Sequence, residues 1–129
     1  MVIVKPAFKI WLETDKGYVF GKGPFNLLKC IRETGTLSGA AKALGMSYRH
    51  AWGLVKEVEH NVGKDILITH KGGKAGGGGA ELTKEALDLL AKYERAKTAF
   101  TAVHIQLRSE FFNLGRGSRQ DAKPKSTQS

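Results

Sequence analysis

The 129-residue chain has a single cysteine, Cys30, so it can form no internal disulfide, and one thiol cannot hold a metal ion alone. It has no run of about 18 apolar residues, which excludes a transmembrane helix. The opening Met-Val-Ile-Val-Lys-Pro is interrupted by Lys5 and Pro6 too early for a secretory signal. Acidic residues are scarce: 12 Asp and Glu stand against 21 Lys and Arg, a formal net charge of +9. Hydrophobic residues make up 41%, below the average globular share but too many for wholesale disorder. The expectation is one soluble, cytoplasmic domain with an appendage, with no cofactor and no membrane partner.

The basic excess suits a polyanion such as nucleic acid. Part of it lies in the tail, where Arg116, Arg119, Lys123 and Lys125 against Asp121 carry three of the nine net charges. Charge alone therefore does not separate a nucleic-acid binder from a solvated surface.

Patterning is more specific. Residues 7–13 alternate with Phe8, Ile10 and Leu12 on one face. Asp15-Lys16-Gly17 then turns the chain back into Tyr18-Val19-Phe20, so a hairpin is expected over 7–20. Pro24 suits the first turn of a helix over 24–34, with Leu27, Leu28 and Ile31 as its apolar stripe and Gly35 as its stop. Cys30 falls inside it and reads as a buried structural thiol. Thr36 caps a short helix over 37–44, and Ser47 caps a longer one over 48–62. A short helix, a turn at Gly45 and a longer helix form the helix-turn-helix pattern, with Ala40 and Ala41 small enough for close crossing.

On the longer helix, Ala51, Val55, Val58 and Val62 share the side that must be buried. Arg49, Gly53, Lys56 and His60 point the other way, His50 and Glu57 lie at the edge, and Tyr48 and Trp52 flank the apolar side. Arginine can donate two hydrogen bonds to guanine. An exposed mid-helix glycine, costing about 1 kcal/mol of helix propensity, makes sense if a backbone must approach something closely. A solvated face with a tolerated glycine fits the same pattern.

Residues 66–69 and 80–83 read as paired strands around a basic, glycine-rich tip with Lys71 and Lys74. Such a tip is the wing of a winged helix, with a plain flexible loop as the alternative. A nucleotide phosphate loop fails, because Gly73-Lys74 precedes Ala75 and more glycines instead of Ser or Thr opening a helix. Thr83 caps a final helix over 84–113. Ala86, Tyr93, Phe100, Leu107 and Leu114 recur every seven residues, and Leu89, Ala96 and Val103 fill the companion seam. Leu87 and Leu90 broaden the stripe at the start, where the helix is also expected to pack on its own domain. A self-complementary partner explains the rest of the seam; folding back over the first hairpin is the alternative. Residues 115–129 read as a flexible basic tail.

With these elements placed, the sequence resembles the DNA-binding domain of the ModE-type, molybdate-responsive transcriptional regulators, a LysR-like winged helix. The resemblance rests on Lys9-Ile10-Trp11-Leu12-Glu13, on Glu33-Thr34-Gly35-Thr36-Leu37-Ser38-Gly39-Ala40-Ala41, on Gly45-Met46-Ser47-Tyr48-Arg49-His50-Ala51-Trp52, and on Gly76-Gly77-Gly78-Gly79-Ala80-Glu81-Leu82-Thr83. It implies a homodimer on operator DNA, paired through terminal helices. The expected fold is mainly α with small β: a winged helix-turn-helix over 7–114 with an N-terminal β-hairpin and a long C-terminal dimerisation helix. The family's molybdate-binding modules have no counterpart after residue 114, so molybdate sensing is not carried over; a separate effector-sensing protein is admitted as a partner beside double-stranded DNA and a second copy.

The residues expected to meet DNA are Thr36, Ser38, Ser47, Tyr48, Arg49, His50, Gly53, Lys56, Lys71 and Lys74. Those expected to dimerise are Leu89, Tyr93, Ala96, Phe100, Val103 and Leu107. A winged-helix protein-interaction module and a non-specific architectural DNA binder are the rival functions. Catalysis is not expected: His50, His60, His70 and His104 are scattered, and Ser38 and Ser47 lack a nucleophile elbow.

Overall fold

A computed structural model describes residues 2–71 and 78–115. The element order is β1 (Leu12–Thr14), β2 (Gly17–Phe20), α1 (Lys22–Thr34), α2 (Leu37–Ala43), α3 (Tyr48–Val62), β3 (Leu67–His70), β4 (Gly79–Leu82) and α4 (Lys84–Gly115). Among the described residues, two antiparallel hairpins, β1–β2 and β3–β4, make up the β structure. This is the winged helix-turn-helix expected from the sequence. The chain divides into two units: Ile10–Ala96, and Met1–Lys9 with the chain from Lys97 onward.

Local signals explain the helix boundaries in the first unit. Gly35 adopts φ +81 after α1, and its N–H reaches the Ile31 carbonyl, closing the helix with a left-handed residue. Thr36 and Ser47 cap α2 and α3, accepting from the N–H groups of Gly39 at 2.9 Å and His50 at 3.0 Å. Gly63 ends α3 in the left-handed region as well. Thr83 does two jobs: its Oγ1 accepts from the Ala86 N–H and donates to the Asp65 carbonyl at 2.7 Å, tying the start of α4 to the start of β3.

The core is apolar. Phe20, Phe25, Leu27, Leu28 and Ile31 pack with Ala40 and Ala41 of α2, Ala51, Val55 and Val58 of α3, and Ile66 before β3. Burying each large side chain contributes roughly 1.5–3 kcal/mol. From α4, Ala86, Leu90 and Tyr93 close this core. The Tyr93 ring lies 4.5 Å from Phe25 and meets Phe20 edge-on at 5.8 Å.

Several expectations change. The first hairpin is shorter than 7–20: pairing covers only Leu12–Thr14 and Gly17–Phe20, with the register shifting between Leu12 and Glu13. Phe8 is not on the strand's inner face; it belongs to the other unit, where its ring packs on Phe100 and His104. Ring partners on α4 replace the sheet contact that alternation alone suggested. Cys30 is half-buried against the core instead of fully enclosed.

The start of α4 packs on its own domain through Leu90 as expected, but Leu87 is exposed and two seam residues take part instead. Tyr93 is 4% exposed and Leu89 is half-buried, both against the core of the Ile10–Ala96 unit. The first turns of α4 are therefore spent on their own domain, because the seven-residue repeat there coincides with the face that closes the core. Phe100, Val103 and Leu107 remain exposed farther along, and Ala96 is half-buried at the changeover.

Candidate nucleic-acid interface

Helix α3 presents two contrasting sides. Ala51, Val55 and Val58 are buried, while Tyr48, Arg49, His50, Gly53 and Lys56 are exposed on the remaining surface. The helix is held by its buried flank, so its polar flank is carried by a fixed support. At Gly53 an added Cβ would meet nothing within 4 Å. Among the described residues, no packing requires glycine there.

Lys56 is not idle. Its Nζ lies 3.0 Å from Glu59 Oε1 and 4.7 Å from the centroid of the Trp52 ring. The Lys56 end of this pair is exposed while Glu59 is mostly covered, so the lysine can still turn toward a phosphate or a base edge. Trp52 is half-buried and packs on the core, as its flank position suggested.

Sequence reading did not single out Glu59. Its Oε2 accepts the Ile66 N–H at 2.9 Å, so one carboxylate joins the end of α3 to the approach of β3. Burial pushes its pKa up, but the N–H groups of Ile66 and Leu67 and the Lys56 ammonium outweigh this and hold it below the usual 4.5. The i,i+3 spacing to Lys56 is local, but the Ile66 and Leu67 N–H groups that fix the carboxylate are reached only in the folded chain.

The hairpin that follows is fixed at its base. Ala80 N–H donates to the Gly35 carbonyl at 2.8 Å, and Thr83 N–H donates to that of Ile66 at 3.0 Å. The first bond ties β4 to the turn that opens α2. Leu67 pairs with Leu82 and His70 with Gly79, and His70 Nε2 lies 2.8 Å from Glu81 Oε2. Lys71 is exposed just beyond β3. Lys74 lies outside the described residues.

Thr36 and Ser38 stand at the start of α2, Thr36 half-buried and Ser38 exposed. The cap oxygens of Thr36 and Ser47 accept backbone hydrogens, which leaves each hydroxyl its own proton to donate. Gly39 is required here by space: a Cβ would sit 2.6 Å from Thr36 Oγ1. The fold thus places the capped start of α2, the open flank of α3 and the base of the β3–β4 hairpin in one connected framework. Among the described residues, no group of three or more His, Cys, Asp or Glu could hold a metal ion. No helix among them is long and apolar enough to cross a membrane.

No family model matches the chain. Over 72 residues it is 38% identical to the transcriptional regulator ModE of Yersinia pestis, covering 56% of this chain and 27% of that protein. Over 69 residues it is 38% identical to the DNA-binding transcriptional dual regulator ModE of Escherichia coli K12, covering 54% and 26%. The match thus spans about a quarter of the length of these relatives. Among solved structures, the full-length LysR-type regulator LysG of Corynebacterium glutamicum aligns with a TM-score of 0.53 at 22% identity, over 67% of this chain and 28% of that one. That likeness is one of fold.

Proposed function

We propose that this chain, homologous to ModE-type regulators over about half its length and folded as a LysR-type winged helix, is a sequence-specific, double-stranded DNA-binding transcription regulator acting as a homodimer. One observation carries the reading: a cationic, glycine-centred flank of α3 stands exposed while the opposite flank is locked into the core. In this reading α3 enters the major groove. Arg49 leads as the donor to a base edge, with His50 and Lys56 beside it, and Gly53 lets the helix backbone come close.

Around this helix the other groups act on phosphate. The hydroxyls of Thr36, Ser38 and Ser47 and the Tyr48 phenol meet the backbone next to the groove. Lys71 and Lys74 grip the flanking strand from the wing. The Ala80–Gly35 hydrogen bond supports the reading, because it ties the wing's base to the turn that opens α2. Two copies paired through α4 would read an inverted repeat with half-sites about 34 Å apart or a multiple of it.

Selection of bound sites from a random duplex pool tests the whole reading. The expected result is an enriched inverted repeat. Enrichment of nothing despite tight binding would mean an architectural protein. No retardation of any duplex at low salt would mean a docking module, and either result overturns the proposal.

A further inference from the structure

Lys56, one of the side chains assigned to the groove, is held on two sides by its own helix. Its Nζ lies 3.0 Å from Glu59 Oε1 and 4.7 Å from the centroid of the Trp52 ring. The two ends of the ion pair are unequally free: the lysine side chain is 55% exposed and the glutamate 13%. The glutamate is also fixed from outside the helix. Its Oε2 accepts the Ile66 N–H at 2.9 Å, and the Ile66 carbonyl in turn accepts the Thr83 N–H at 3.0 Å. These bonds anchor the carboxylate to the root of the β3–β4 hairpin, so the lysine is the partner free to move.

The pairing has an electrostatic consequence for DNA. Glu59 is held below its usual 4.5, so at neutral pH it is ionised and offsets the charge of the ammonium beside it. Binding to arbitrary duplex is driven by cations that neutralise phosphates and release counterions. A lysine already paired adds little to that drive, because the carboxylate beside it repels the phosphate it would meet. An acceptor brought to close range of the exposed ammonium, where α3 is fully seated, competes with the carboxylate directly.

We infer that Glu59 is a positioning residue for recognition: anchored to the wing root, it keeps Lys56 from the phosphates of arbitrary duplex and yields it only where α3 is seated in a matching groove. Glu59 thereby raises selectivity by weakening the wrong complex more than the right one. The inference rests on the DNA-binding reading above and adds to it a residue that itself touches no DNA.

Fluorescence anisotropy of the full chain on a selected site and on random duplex, each titrated against salt, tests this. Glu59→Gln removes the charge and keeps a side-chain oxygen for the Ile66 N–H. Random duplex is then bound more tightly, with a salt slope steeper by about 0.9, one more phosphate neutralised. Affinity for it falls about 3.5-fold further than the parent's between about 50 and 200 mM salt. The selected site, where Lys56 is already released, changes less, so selectivity drops. In a Lys56→Ala background the same Glu59→Gln step leaves the random-duplex slope where it was. A gain that persists without Lys56 is a general effect of lost negative charge and overturns the inference. Equal weakening of both duplexes at unchanged slope makes Glu59 a wing support only and overturns it too. Lys56→Ala alone covers the case in which Glu59→Gln does not fold: it weakens the selected site and leaves the random-duplex slope unchanged, and a slope shallower by about 0.9 there sinks the idea. A parent that binds no duplex, or enriches no site, overturns the DNA-binding reading and this inference with it. If the parent enriches a site and Glu59→Gln behaves as the parent does, that reading stands and only this inference falls.

Discussion

Replacing Gly53 with alanine separates the needs of folding from those of recognition. The position lies inside α3, is exposed, and has open space where a Cβ would go. Alanine has a helix propensity about 1 kcal/mol better than glycine, and no clash offsets the gain. For a domain of this size the melting temperature should rise by about 4–8 °C. With α3 in the major groove, as proposed, the sign reverses on DNA. A methyl group forced into a close-packed contact costs about 1–3 kcal/mol, which is about 5–150-fold in affinity. Thermal melting by circular dichroism and fluorescence anisotropy on a selected site read the two effects separately. A variant that is more stable and binds as tightly as the parent would show that the α3 backbone approaches nothing at Gly53. The major-groove placement would then be wrong.

Other outcomes follow from the same geometry. Arg49→Ala should cost about 1–3 kcal/mol, mainly at one base position. Lys71→Ala should instead weaken binding to all sequences and shrink the salt slope by about 0.9, the share of one phosphate that is no longer neutralised; equal effects on specific and random duplex from both would refute the division of roles. Glu59 has a lowered pKa when folded, so its contribution to stability is complete above its unfolded value near 4.5 and is lost as pH falls through the folded value. Glu59→Gln should therefore lower the melting temperature at pH 7 and lose less stability than the parent on acidification below 4.5. Thr36→Ala should cost about 0.5–2 kcal/mol by removing the cap of α2. Gly39→Ala should also destabilise, since its methyl would displace that same hydroxyl; a neutral result in denaturant titration would refute the close approach.

Much of this molecule is legible one element at a time. The polar flank of α3, the caps at Thr36, Ser47 and Thr83, and the stop at Gly35 each depend on neighbours within about four residues. The composition of a short window therefore carries them. Exposure of Arg49 and Lys56 also follows, since burying Ala51, Val55 and Val58 turns the other side of the same helix outward.

What required the tertiary structure is what joins distant positions. Seven-residue spacing is the same whether a helix faces its own core or a second chain, and only the rings of Phe20 and Phe25 against Tyr93 decide for the first turns of α4. The alternation from Phe8 to Leu12 is likewise strand-like in sequence, yet Phe8 is claimed by His104 and Phe100, far along the chain. Glu59 shows in sequence only its i,i+3 spacing to Lys56; its bond to the Ile66 N–H exists only once Ile66 is folded against it. Periodicity determined which faces are apolar. Which surface each face meets was decided by competition between contacts far apart in the chain, because burial rewards any apolar partner and only the folded geometry selects one.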